Sequence, residues 1–331
     1  MPLHDASYQH WPGHHLGIWY RRASIARQGL HACLENRWTR HLLFVCWSAA
    51  LVQAAVLFAL GQLLVADSLI VQWVGNLDQN LQTFARLLTQ WLEQHPEISV
   101  RTSENILFYY VIRCQLPLAL AVVAQAIPQL LTRDLASHAI TIYASKAIGR
   151  VDYVLGKFGA IFSLLVLAWL GPIVAAWFLG NLLAPDWHFF WHARLALANT
   201  LLYGLSATFL LSVLALGVSA LSNQEKTTVG IWVAWWVVGY VLTGIAEETK
   251  PWLKHLSFQH SLGELELGIF HIYDDILLAR ENIPVLGDLL RNVRPETLEA
   301  FRDPAVFGAS AALAGLAALA VFIVARRIKP Q

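Results

Sequence analysis

Six long apolar runs dominate this chain, at about residues 42–66, 106–131, 153–183, 195–221, 228–246 and 305–325. A helix needs roughly 20 mostly apolar residues to cross the hydrocarbon core of a bilayer. Each run is therefore long enough, or nearly so, for one crossing. Backbone polar groups in lipid must be satisfied internally, so runs of this length take helical form. The balance of residues agrees: 57% are hydrophobic and 14% charged, against about 25% charged in an ordinary soluble domain. The expectation is an all-α polytopic membrane protein with six transmembrane helices, a single transmembrane domain over 1–331. The third run exceeds what one crossing needs, so it should tilt or project from the bilayer.

Charge orients the spans. With the N-terminus in the cytoplasm, six crossings return the C-terminus there. That arrangement leaves thirteen Lys and Arg inside against nine outside, the direction the positive-inside rule requires. The first apolar run starts too late and runs too long for the core of a cleaved secretory signal. Three cysteines (Cys33, Cys46, Cys114) offer neither a disulfide framework nor a CxxC metal pair.

The polar segments carry the remaining information. Within 1–41, His10, His14 and His15 sit near Trp11 and Trp19. Without cysteine or carboxylate in the pattern, a surface tail is the better reading than a metal site. Residues 23–39 gather Ile25, Leu30, Cys33 and Leu34 on one side, with Arg27 and Arg37 elsewhere. This predicts an amphipathic helix lying at the membrane interface with its apolar face in lipid; the alternative is an extended start of the first span. The outer segment 67–105 repeats Leu77, Leu81, Phe84, Leu88 and Trp91 at helical spacing. The last outer loop, 247–304, reads as short amphipathic helices. Its acids Glu264, Glu266, Asp274 and Asp275 are better read as a solvated face than as a cation site.

Inside the spans, Arg113 needs an explanation, because a charge at that depth is costly. An ion pair, with Glu247 or Glu248 as partner, or outward snorkelling outweighs a substrate contact. Pro117 and Pro128 in the same run predict kinks. Asn199 is expected to hydrogen-bond between helices. Gly204, Ser206, Ser212, Gly217 and Ser219 in the fourth run favour close helix packing. The turn APDWHFFWHAR between the third and fourth runs suits an aromatic headgroup belt.

Much catalytic chemistry is missing. There is no phosphate-binding GxxxxGK[ST], no HExxH, no GxSxG and no GxGxxG after a strand. Few ionisable groups occupy the spans, which argues against a proton or sodium relay. What stands out instead is the bridge between the second and third runs, TRDLASHAITIYASKAIGRVDYVLGK, over 132–157. It holds four basic residues and two acids between two apolar runs. A soluble partner has its best foothold there.

The run LLTRDLASHAITIYASKAIGRVDYVLGKFGAIFSLLVLAWLGP resembles the connector after the second span in ABC-2 type transporter permeases, the membrane subunits of one class of ATP-binding-cassette systems. The resemblance rests on Asp134, the small-residue stretch 136–139, the Tyr-x-Ser at 143–145, and Arg150, Asp152, Tyr153, Gly156 and Lys157. IARQGLHACLENRW resembles the family's amphipathic lead-in, and the six-span layout agrees. Two positions depart from the family pattern: Ala147 stands where Pro is common, and Leu256-Ser257-Phe258 where Leu-Ser-Pro is common. They leave subfamily and cargo open.

The resemblance implies a bacterial inner-membrane permease that pairs with a second permease copy, homodimer or heterodimer. Two copies of a separate ATPase would carry the ATP and Mg, with no cofactor or catalytic residue on this chain. The coupling connector 132–152 would seat in the ATPase through Asp134, Leu135, His138, Ile140, Tyr143, Ser145, Lys146 and Arg150. The short loop 222–227, with Glu225 and Lys226, would be a second contact. An extracytoplasmic accessory protein fits the family as a further partner; nucleic acid does not. The competing expectation is a membrane scaffold or immunity protein that acts through its outer loops and transports nothing.

Overall fold

The computed structural model describes residues 17–63, 95–137, 149–184, 187–248, 254, 256–282 and 301–328. Among them every regular element is helical. Six helical stretches are long and apolar enough to cross a membrane: Arg37–Gln62, Ile98–Ala136, Arg150–Leu182, Arg194–Ser219, Glu225–Ile245 and Val306–Arg327. This is the build of a multi-pass membrane protein.

In chain order, α1 (Ile18–Glu35) breaks at Asn36 and is followed by α2 (Arg37–Leu63). The second span is one rod made of α3 (Pro96–Ile127), a π-helical turn (Pro128–Thr132) and α4 (Arg133–Ala136). The third joins α5 (Arg150–Leu165), a second π turn (Val166–Leu170) and α6 (Gly171–Leu182). The short α7 (His188–His192) leads into α8 (Arg194–Ser219). Then follow α9 (Glu225–Glu248), α10 (Phe258–Phe270), α11 (Ile272–Asn282) and α12 (Val306–Arg327).

The second span differs most from the sequence reading. Its apolar run begins near 106, yet α3 starts at Pro96, so residues 96–105 belong to the span helix and not to the outer loop. The added turns are polar but inward: Ser99, Thr102, Glu104 and Asn105 are all buried. Hydropathy misses them because their burial is against protein. The predicted helix through Leu77, Leu81, Phe84, Leu88 and Trp91 lies outside the described residues, as do His10, His14 and His15.

Pro117 sits inside α3, whereas Pro128 opens the π turn. Proline cannot donate to the carbonyl four residues back, and one extra residue per turn accommodates the defect. The second π turn ends at Gly171, whose N–H bonds the Val166 carbonyl. A Cβ at 171 would lie 2.8 Å from that carbonyl oxygen, so glycine is what lets this turn close.

α8 is the central helix. Its most apolar stretch is 61% buried, against 17% for α9 and for α12. Buried indoles cross-link the bundle: Trp169 donates to the Ile112 carbonyl at 3.2 Å and Trp232 to the Leu120 carbonyl at 3.1 Å. α12 reaches α8 at Gly217, where an added Cβ would be 2.6 Å from that of Ala320. This is the close small-residue packing expected of the fourth run.

α1 corrects an expectation. It is a helix separate from the first span, but its apolar side packs on α5 and not on lipid. Gly29 faces Ala160, Ala26 faces Gly159 and Ile25 faces Gly156, a ladder that keeps the two helices parallel and close. Arg22 closes the end of this ladder with an ion pair to Asp152 at 2.6 Å.

Candidate functional site

The two ends of the polar bridge are brought together at the end of the bundle that also holds the α1 start and the α12 end. Asp134, on α4, receives the Lys157 ammonium of α5 at 2.7 Å and a hydrogen bond from the Tyr153 hydroxyl. Lys157 also donates to the Gln129 carbonyl at 3.3 Å and lies over the Tyr153 ring at 5.6 Å. Both partners of the ion pair are largely buried, with 12% and 18% of their side chains exposed. A pair in that setting is costly to break from one side, since a buried charge is left behind. The spacing that places Tyr153 and Lys157 one helical turn apart directs both onto one acceptor.

A second clasp reaches the fifth span. Arg133 bonds Glu225 at 2.7 and 3.4 Å, linking α4 to the first turn of α9. Both side chains are about half exposed, so this clasp is worth about 0–1 kcal/mol. The acid sits favourably at the positive end of α9.

Between the clasps lies a buried polar knot. The π turn shifts the usual backbone pairing around the Leu131 and Thr132 N–H groups and the Ile127 carbonyl. Ser219, in the last turn of α8, bonds all three. Its hydroxyl accepts from Leu131 N at 2.8 Å and Thr132 N at 3.1 Å, and donates to the Ile127 carbonyl at 2.9 Å. Thr132 in turn donates to the Ser219 carbonyl at 2.9 Å and approaches Thr228 of α9 at 3.4 Å. Three spans meet through the hydroxyls of Ser219 and Thr132. Sequence reading marked Ser219 only as small; the π turn that gives it a task has no signature beyond Pro128.

Of the coupling candidates, Asp134, Leu135, Arg150, Glu225 and Lys226 are described. Asp134 and Leu135 belong to the end of the second span and Arg150 opens the third, so the described stems trim the connector to 137–149. Arg150 and Lys226 are exposed at the same end. His138, Ile140, Tyr143, Ser145 and Lys146 lie outside the described residues. Cys33, beside this site, has its thiol pushed up to about 11 by burial, with Lys157 and Arg133 pulling the other way, so it is a neutral packing group at pH 7.

The opposite end carries the intramembrane polar candidates. The side chains of Glu247 and Glu248, the partners the sequence suggests for Arg113, lie outside those described; the Arg113 guanidinium bonds the Tyr109 hydroxyl at 2.6 Å and lies 4.0 Å from Glu266. Asn199 donates to Asn105 at 3.0 Å, the interhelical bond expected of it. Asn105 donates in turn to the Phe270 carbonyl at 2.7 Å and to Asp275. Glu266 and Asp275 are therefore buried, not a solvated face. Burial pushes the Glu266 carboxyl up to about 8 against the pull of Arg113. It raises Asp275 too, opposed by Asn105 and Arg101. Among the described residues no cluster of three or more His, Cys, Asp and Glu is arranged to hold a metal ion.

No family model matches the chain, and no curated protein matches it.

Proposed function

We propose that this chain is the permease subunit of an ATP-binding-cassette exporter of the ABC-2 type, driven by a separate ATPase that grips the bridge between the second and third spans. The observation that carries the reading is the locking of both bridge stems. Asp134 ties α4 to α5 through Lys157 and Tyr153. A push on residues 138–148 then moves α3 and α5 as one body, and Arg133–Glu225 and Ser219 hand the motion to α9 and α8. Rigid elements with locked joints convert a local closure into rigid-body motion. Loose stems would absorb it.

On this reading the N- and C-termini and the bridge face the cytoplasm of a bacterium, where the ATPase holds ATP and Mg. A second permease copy completes the path, and exposed apolar faces on α2 and α9 are available for it. Phe44, Leu51 and Val52 lie on one, and Val237, Val238 and Val241 on the other.

The experiment is charge reversal at the clasp. Asp134→Lys is expected to abolish permease-stimulated ATP hydrolysis while the chain still inserts. Asp134→Lys combined with Lys157→Glu is expected to recover part of it. Full stimulation in the single variant overturns the coupling role.

A further inference from the structure

A second site lies at the end of the bundle away from the bridge. A cleft of about 580 Å³ opens between the start of α3, the α7–α8 corner and α11. Three features make it attractive to an anion. Arg101, His192 and Arg194 line it, and among the described residues no carboxylate does. Asp275, which feels the charge of Arg101, is already bonded by Asn105. The cleft is also walled by the opening turns of two long helices, since Ile98 and Thr102 lie in the first two turns of α3 and Leu195 in the first turn of α8. The positive dipole ends of these helices add to the field.

The third feature is a polar group waiting for a partner. Thr102 lines the cleft and is 2% exposed, yet its hydroxyl has no hydrogen-bonding partner. A buried hydroxyl left unpaired is costly. Its oxygen is closed off in this conformation, so an anionic oxygen in the cleft satisfies it only when the side chain turns toward the cleft.

The remaining wall is apolar. Trp191 holds the Arg194 guanidinium 4.0 Å from its ring centre and fixes it further by accepting from Arg194 on its carbonyl at 2.8 Å. Leu195 and Leu278 complete the lining. The site stands at the starts of the second and fourth spans, and the ends of membrane-crossing helices meet the headgroups. Two guanidiniums held at that depth match a phosphate group, and the leucines and indole match the carbon beside it.

We infer that this cleft binds the phosphate headgroup of an anionic phospholipid from the leaflet opposite the bridge. The inference does not rest on the transport reading: a protein that moved nothing would keep the site.

Full-length protein is purified and titrated with phosphatidylglycerol or phosphatidylcholine, and bound lipid is counted by native mass spectrometry. The wild type is expected to retain one phosphatidylglycerol in preference to phosphatidylcholine. Arg101→Gln with Arg194→Gln should weaken that first binding event about tenfold, the loss of about one charge-assisted hydrogen bond. Ala198→Trp fills the exposed mouth of the cleft with every charge intact and should weaken it equally. It serves alone if the double variant does not fold. Equal retention by wild type and Ala198→Trp overturns the site. Displacement of the lipid by millimolar inorganic phosphate would reassign it as a site for free anions and overturn the lipid inference.

Discussion

Ser219 is where one residue carries the most structure. A π turn shifts the backbone pairing around two N–H groups and one carbonyl, and a single hydroxyl bonds all three. Ser219→Ala should cost about 1–3 kcal/mol, the penalty for stranding buried polar groups, and a lower thermal midpoint in detergent would report it. Ser219→Thr keeps the hydroxyl but adds a methyl to a fully buried position, so it should recover only part. Glu266 gives a pH signature. Its carboxyl titrates near 8 when folded, well above the ordinary 4.3 or so. The folded state therefore holds a proton that the unfolded state releases. The contribution is fully present below about pH 4, falls as pH rises, and is lost as pH passes 8. Glu266→Gln should flatten stability against pH between 5 and 8, measured by thermal unfolding across that window. Neither role was legible in the chain. Arg113 announced that it needed a partner, but Glu266 lies in a distant connector, and only the packing of α10 against α3 brings it within 4.0 Å.

The helices themselves were largely legible, because crossing a bilayer demands length and apolarity together and few sequences satisfy both by accident. What hydropathy misplaced is where protein replaced lipid as the neighbour. Residues 96–105 are too polar to be read as span, yet Asn105 and Ser99 extend α3 by burying against the chain itself. The apolar stripe of α1 reads as lipid-facing, but the glycines at 29 and 156 give it a protein surface at close range. Gly156→Leu should pry this joint open. The new side chain would start 2.6 Å from Ile25 Cβ, an overpacking worth about 1–3 kcal/mol. Trypsin should then cut faster after Arg27, an exposed position on α1, than in the wild type. The clasp at Asp134 deserves the double-mutant form of the test. Asp134→Asn and Lys157→Met should each destabilise, and together they should cost less than their sum, because the second change no longer strands a charge.

Taken whole, the molecule is a six-span bundle with two unlike ends. One end is held by short ion pairs around a bridge; the other by buried amides, carboxyls and tyrosines beneath α10 and α11. The stems at the bridged end are fixed to three spans, and that anchoring is what a lever requires. The fold therefore explains how force applied at the bridge would spread, while the origin of that force is the proposal. The most direct test is to purify the intact chain gently from its native membrane and measure nucleotide hydrolysis in the eluate, with and without Asp134→Lys. The account predicts an accompanying ATPase in stoichiometric amount, whose permease-stimulated turnover disappears in the variant. An eluate that hydrolyses no ATP, or a variant that keeps full stimulation, would contradict it.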